Sequence, residues 1–473
     1  MSNLLGSLIE RASSWTVIHA QQHAQRRASE QNELFALSEL ADEAYIYGYP
    51  LVMMDLTART MTNVAVPAGA KAPLNQFGRL DILPTADTKN LTMPNVDTLY
   101  MSAFLDLKEE PIVLHVPDTH RRYYMLPMLD AYTNVFASPG KRTTGTTALD
   151  AAIVGPHWTQ SLPSSLVRID APTNLVWIVG RTQVNGREDL SDVAELTQQY
   201  TLCPLSSYGQ RYSLPPNPRL DPALLPNAEP AKLVAELEDH GFFAHLANLL
   251  AQYPPPPRDG ANLVRYERLG LAPGHFTPSP AAAEAIEGVK GRATKQIRQR
   301  FLGFGREING WRIDTTLGQY DSRYLDRAAI ARYAIGANLA DDAIYPYALY
   351  DAEDQPLHGA NDYVLHFEVG GLPPVDALWS LTLYNQRGHL VHNHIERYAV
   401  GDRDPLVHNA DGSIEIFIQQ HPPQPHVAPN WLPSPDAPFY LLLRLYWPQP
   451  SVLSGRWVPP KIQRISSVPK YRA

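Results

Sequence analysis

The sequence predicts an α+β fold of two β-sandwich or jelly-roll-like domains linked by a helical middle region, and three observations carry that prediction. Short apolar runs bounded by Pro, Asp, Asn or Gly fill residues 70–185. Apolar residues then recur at helical spacing between 186 and 345. Strand-like alternation resumes beyond 346. The expected division is a helical extension at 1–38, an N-terminal β-domain with its entry helix at 39–185, a helical linker region at 186–345 and a C-terminal β-sandwich at 346–473.

Each element follows from local pattern. Leu34, Leu37, Leu40, Ala41, Ala44, Ile46, Tyr47 and the run Leu51–Met54 have largely helical spacing, with Pro50 expected to kink or break the helix. Tyr45, Tyr47 and Tyr49 cannot share one helical face, so at least one is expected to leave the core, and Tyr45 becomes a candidate binding residue. Ile112–Val116 and Leu175–Val179 read as core strands. If the segment from Arg122 stays extended past Pro127, Arg122, Tyr124, Leu126, Met128, Asp130, Tyr132 and Asn134 line one face. Helices are expected in Lys232–Leu250, Ala281–Phe301 and Tyr324–Ala340, with Pro254–Pro257 as a break, either a rigid spacer or a loop turning a corner. Strands are expected in Tyr363–Val369, Leu378–Asn385, Ser413–Gln420 and Phe439–Trp447.

Composition excludes several functions. The 473 residues are 44% hydrophobic and 19% charged, enough to bury large cores. A net charge of -8 without a basic run argues against nucleic acid or anionic membranes as partners. Cys203 is the single cysteine, so neither an internal disulfide nor a cysteine-based zinc cluster is available. No run reaches the ~20 apolar residues of a membrane span, and the N-terminal run Leu4–Ile9 is cut short by Glu10 and Arg11. A cytoplasmic location is therefore expected. Tyr outnumbers Phe 24 to 12, which suits half-polar pockets and interfaces between copies of the chain.

Three blocks concentrate polar groups among core-patterned residues: Pro94–Tyr100, Arg122–Tyr124 and Leu129–Asn134. Buried polar groups must satisfy one another or face a ligand. Asp97 or Asp130 is a candidate base and Tyr100 or Tyr132 a candidate acid or oxyanion donor. The structural alternative is an Asx-turn in which Asn95 and Asp97 cap backbone amides. Arg122 and Arg142 are candidate clamps for a substrate carboxylate; the structural alternative is that Arg122 pairs with Asp97 or Asp130. Asn95, Asn134 and Tyr384 complete the binding set, Tyr384 sharing a strand face with Ser380 and Thr382. His392 and His394 would share a face on an extended segment, but no third ligand has recognised spacing, so no metal is expected. Nucleophile-elbow, dinucleotide-binding and zincin motifs are absent, and no organic cofactor is expected.

The chain resembles a bacterial and fungal family of two linked domains of unknown function, 1254 at the N-terminus and 1214 at the C-terminus. The first match rests on Glu43–Pro50, Pro94–Tyr100, Arg122–Asn134 and Gly140–Gly145. The second rests on Trp379–Tyr384, Arg397-Tyr398, Asp411–Ser413, Asn430–Pro433 and Arg444–Tyr446. The resemblance implies mixed β and α proteins that assemble as oligomers, and it brings no reaction with it. It also implies frequent export, from which this sequence departs by lacking a clear signal.

The reading reached is an enzyme using acid–base chemistry, a hydrolase or lyase, on a polar, acidic or aromatic metabolite. Asp97, Tyr100, Arg122 and Asp130 are expected to converge on one cavity. The alternatives are a non-catalytic small-ligand-binding protein and, third, a metal-dependent enzyme using the C-terminal histidines. Homo-oligomers are expected.

Overall fold

The computed structural model describes residues 2–89, 92–213, 215 and 220–465, with the side chains of 2–18 and 20 set aside. It is an α+β protein of two separate β-domains and a helical unit, with no closed barrel.

The N-terminal β-domain packs two sheets. The larger runs in the order Gly78–Leu80, Thr98–Asp106, Leu175–Gln183, Met128–Leu129, Val135–Ala137, with Tyr124–Met125 also pairing on Leu175–Gln183. The smaller runs Thr201–Pro204, Ile112–Val116, Leu149–Val154, Val167–Asp170. Met101, Leu105, Ile112, Leu114, Ile153 and Ile178 close the space between them. Thr201–Pro204 lies beyond the expected boundary at 185 and is held by its register with Ile112–His115.

The C-terminal domain repeats the two-sheet plan. Its larger sheet runs Arg306–Ile308, Trp311–Ile313, Tyr347–Ala348, Phe439–Pro448, Val375–Asn385, Ala399–Gly401, with Ala343–Ile344 also on Phe439–Pro448. The smaller runs Trp431–Pro433, Ile414–Gln419, Asp362–Phe367, Ile462–Ile465. Trp311, Leu365, Trp379, Leu381, Ile416, Leu441 and Leu443 form its core. This sheet too reaches back into the expected linker region, through Arg306–Ile313.

One helix spans Ser2–Thr62 without ending at Pro50. The expected break does not form, and the extension and entry helix are a single element. Its second half is packed by the helices Pro230–Glu236, Asp239–Gln252, Gly260–Tyr266, Pro280–Ile286, Val289–Leu302 and Tyr324–Tyr333. Surrounded in this way, the helix buries Tyr45, Tyr47 and Tyr49 together, at 1%, 0% and 0% exposure. The expectation that one tyrosine leaves the core assumed a single buried face, and the stretch Ala44–Met54 of this helix is buried all round. Tyr45 stacks on Phe242 with ring centroids 4.0 Å apart, so it is a core residue and not a binding group. Among the described residues no helix is long and apolar enough to cross a membrane.

Candidate interdomain site

The polar loop ahead of strand Thr98–Asp106 is held by the large sheet of the other domain. Asn95 Oδ1 accepts from the Asp97 backbone N–H, closing a local turn. The Asn95 amide donates to Thr98 Oγ1 at 2.8 Å and to the Tyr446 hydroxyl at 2.6 Å. Tyr384 donates to the Pro94 carbonyl at 2.6 Å, and Arg444 donates to the Met93 carbonyl at 2.9 Å and to Tyr384 Oη at 2.6 Å. Alternation on strands Val375–Asn385 and Phe439–Pro448 brings Ser380, Tyr384, Arg444 and Tyr446 to the sheet face that meets the loop.

Asp97 sits at the centre of this seam and is 1% exposed. One oxygen accepts from Ser380 Oγ at 2.6 Å, and the other is ion-paired with the Arg403 guanidinium. Arg403 also donates to the Val184 carbonyl at 2.6 Å and lies 3.7 Å from Asp402. Partial burial, with the Asp97 charge adding to it, pushes the Asp402 carboxyl up to about 6 against the pull of Arg403. Asp97, Ser380 and Arg403 line a cleft of about 600 Å³ that draws Leu83 and Val96 from the first domain and Ile395, Arg397 and Asp404 from the second.

Tyr100 stands along the same seam, its ring 5.3 Å from the guanidinium of Arg181, its cross-strand partner. Arg181 donates to Asn338 Oδ1 at 2.7 Å and to the Tyr345 hydroxyl at 2.6 Å. The structure thus gathers Asn95, Asp97, Tyr100 and Tyr384 of the expected site.

The expected convergence with Arg122 and Asp130 does not occur. Pro127 interrupts the extended segment, leaving two-residue strands at Tyr124–Met125 and Met128–Leu129, and the chain turns from Asp130 to Asn134. Asp130 accepts the Tyr132 and Asn134 backbone N–H groups at 2.9 Å each and the Asn134 amide at 3.3 Å, which makes it a turn former; burial raises its pKa. Tyr132 donates to the Tyr253 carbonyl at 2.8 Å. Asp130, Tyr132 and Asn134 share a different cavity, of about 460 Å³, walled by Pro254–Pro257 and Tyr320. Arg122 forms a two-pronged pair with Asp189 at 2.5 and 2.7 Å and borders a third cavity, of about 550 Å³. Arg142 pairs with Asp342 at 2.8 Å. Both arginines have internal carboxylate partners, though neither pairs with Asp97 or Asp130. His392 lies 3.1 Å from Asp87, while His394 packs on Trp431.

Arg181, Arg403, Tyr345 and Asp402 escape the sequence reading. For Arg181 a signal existed: an arginine directly after the apolar run Trp177-Ile178-Val179-Gly180 is costly to bury without a purpose. Arg444, between Leu443 and Leu445, carries the same signal. Arg403 lies in a turn and offers none.

A two-sheet N-terminal domain joined to a two-sheet C-terminal domain by a polar, arginine-rich seam defines the class of protein. The chain belongs to the family that pairs two domains of unknown function, DUF1254 over residues 74–204 and DUF1214 over residues 342–450. The crystal structure of the VPA0106 protein from Vibrio parahaemolyticus shares the fold, with a TM-score of 0.71 and 23% identity over 91% of this chain and 100% of that one. A putative uncharacterized protein from Burkholderia cenocepacia aligns at a TM-score of 0.42 and 13% identity over 93% of this chain and 96% of its own. No curated protein matches the chain.

Proposed function

We propose that the protein binds a small polar molecule in the cleft between its two β-domains, with Asp97, Ser380 and Arg403 as recognition groups. The observation that supports this is the meeting of three side chains from distant parts of the chain at the wall of a cleft of about 600 Å³. Cavities of that size with a few convergent polar groups are the usual form of a small-molecule site. The test is a thermal-shift screen of metabolites on the full chain, repeated on Ile395→Trp. Ile395 lines the cleft and is 45% exposed, so the larger ring obstructs the cleft without disturbing the core. A ligand at 100 times its dissociation constant adds about 2.7 kcal/mol of stability. Hits that survive Ile395→Trp unchanged count against the cleft.

A hydrolase or lyase working by acid–base chemistry is the second reading, favoured by Asp402, which adjoins the cleft residues Gly401 and Arg403 without lining the cleft itself. A carboxyl group titrating at about 6 beside Arg403 has the proton affinity that transfer at neutral pH requires. Asp97 has both oxygens engaged already, one by Arg403 and one by Ser380. Turnover that persists in Asp402→Asn removes this reading.

A further inference from the structure

Two arginines of the seam, Arg181 and Arg444, are in hydrogen-bond contact with no carboxylate among the described residues. Asp97 is committed to Arg403, and Asp342 to Arg142. Arg181 and Arg444 reach neutral acceptors only: Asn338 and Tyr345 for the first, Met93, Pro94 and Tyr384 for the second. Neither has a carboxylate partner among the described residues. The Nε atoms of both are buried without a hydrogen-bond partner among those residues, although Arg444 as a whole is only 5% exposed. Buried guanidinium groups are normally paired, because withdrawing a charge from water costs several kcal/mol.

The two cations are neighbours. Their guanidinium carbons lie 6.0 and 5.7 Å from the centre of the same ring, that of Tyr345. The Tyr100 ring also lies 5.3 Å from the Arg181 guanidinium, and none of the hydrogen bonds among the described residues involves the Tyr100 hydroxyl. Burial holds the Tyr345 and Tyr446 phenols neutral, so they do not supply the missing negative charge. Arg181, Tyr100 and Tyr345 each keep part of their surface open, unlike the core around them.

We propose that Arg181 and Arg444, with the Tyr100 hydroxyl, form an anion site that takes the carboxylate of a small molecule. A planar carboxylate matches the guanidinium fork and accepts from a phenol at its remaining lone pair. The flat Tyr100 and Tyr345 rings suit a planar substituent behind it. None of Arg181, Arg444, Tyr100 and Tyr345 lines the Asp97–Arg403 cleft, so the proposal does not depend on the ligand proposed there.

The test is thermal unfolding of the full chain with acetate and benzoate, against acetamide, benzamide and sodium chloride at matched ionic strength. The carboxylates are expected to raise the melting temperature in a saturable way, and the amides and chloride to leave it unchanged. Tyr100→Phe removes a hydroxyl that no hydrogen bond among the described residues uses, so its unliganded melting temperature stays that of the parent, while benzoate affinity falls about ten-fold, as for a lost hydrogen bond to a charged group. Arg181→Gln abolishes the carboxylate effect and leaves Ile395→Trp-sensitive ligands bound. Equal effects of amides, of chloride, or of benzoate on Tyr100→Phe and Arg181→Gln overturn the proposal, as does a parent protein insensitive to both carboxylates.

Discussion

Ser380 Oγ donates to Asp97 Oδ2 across 2.6 Å, although the two residues are 283 positions apart. With Arg403 on the other carboxylate oxygen, this contact ties a loop of the first β-domain to the large sheet of the second. The two domains therefore share a polar core as well as a chain.

Asp97→Asn is expected to lower stability by about 3–5 kcal/mol, since the Arg403 cation keeps its place and loses its counter-charge. In the double variant with Arg403→Met the loss is expected to be well below the sum of the singles. Thermal denaturation of the four proteins checks this, and additive losses would refute the pairing.

Asp402 sets a pH dependence of defined sign. Its folded pKa of about 6 lies above the ordinary 3.8, so the folded state is favoured by protonation. That contribution is complete below 3.8 and lost as pH rises through 6. Screening at this partly exposed position limits it to about 1 kcal/mol. Asp402→Asn is expected to flatten that segment of the stability–pH curve, and an unchanged curve between those limits argues against the raised pKa.

Gly401→Ala is expected to cost about 1–3 kcal/mol by overpacking. A Cβ there would meet the Trp379 carbonyl oxygen at 2.2 Å, so strand Ala399–Gly401 must move off its neighbour and take Arg403 with it. Chemical denaturation gives the loss. A variant as stable as the parent shows that the strands can separate freely.

Tyr324→Phe is expected to cost about 1.5–3 kcal/mol, the value of a hydrogen bond to a charged group. Asp259 is 0% exposed and accepts from Tyr324 at 2.6 Å and Tyr47 at 3.0 Å. A neutral effect would mean that water replaces the phenol.

Assembly into homo-oligomers is expected from the Tyr-rich composition. Light scattering should return a multiple of 52.7 kDa, and a particle of 52.7 kDa across a wide concentration range rejects the expectation.

The strands and the helical middle were legible because their periodicities differ, and Phe439–Trp447 or Leu175–Val179 leave little choice. Pro50 misled because proline's cost in a helix can be met by tertiary packing, here from six surrounding helices. The polar blocks were correctly read as buried, and Asn95 emerges as the capping residue that the Asx-turn alternative describes. Their partners stayed hidden for a plain reason: Arg122 selects Asp189 and Asp97 selects Arg403 through sheet register and domain docking, neither of which local spacing encodes. Asp130 and Asp97 look alike in sequence and face different cavities because a turn begins at one of them.

The helix Ser2–Thr62 has a consequence for the order of events during synthesis. Its buried half, from Leu37 to Ala58, is the centre of the helical unit, yet the helices that cover it begin only at Pro230. The whole N-terminal β-domain leaves the ribosome in between and covers only part of that apolar segment, through residues such as Phe104, Tyr132 and Trp177. Closing so long a loop is slow relative to local folding, and an exposed apolar helix is prone to self-association while it waits. Nascent chains stopped shortly before Pro230 should therefore be the species most dependent on chaperones, and release of that dependence should coincide with emergence of Tyr324–Tyr333, whose Arg332 reaches Tyr49 at 2.8 Å.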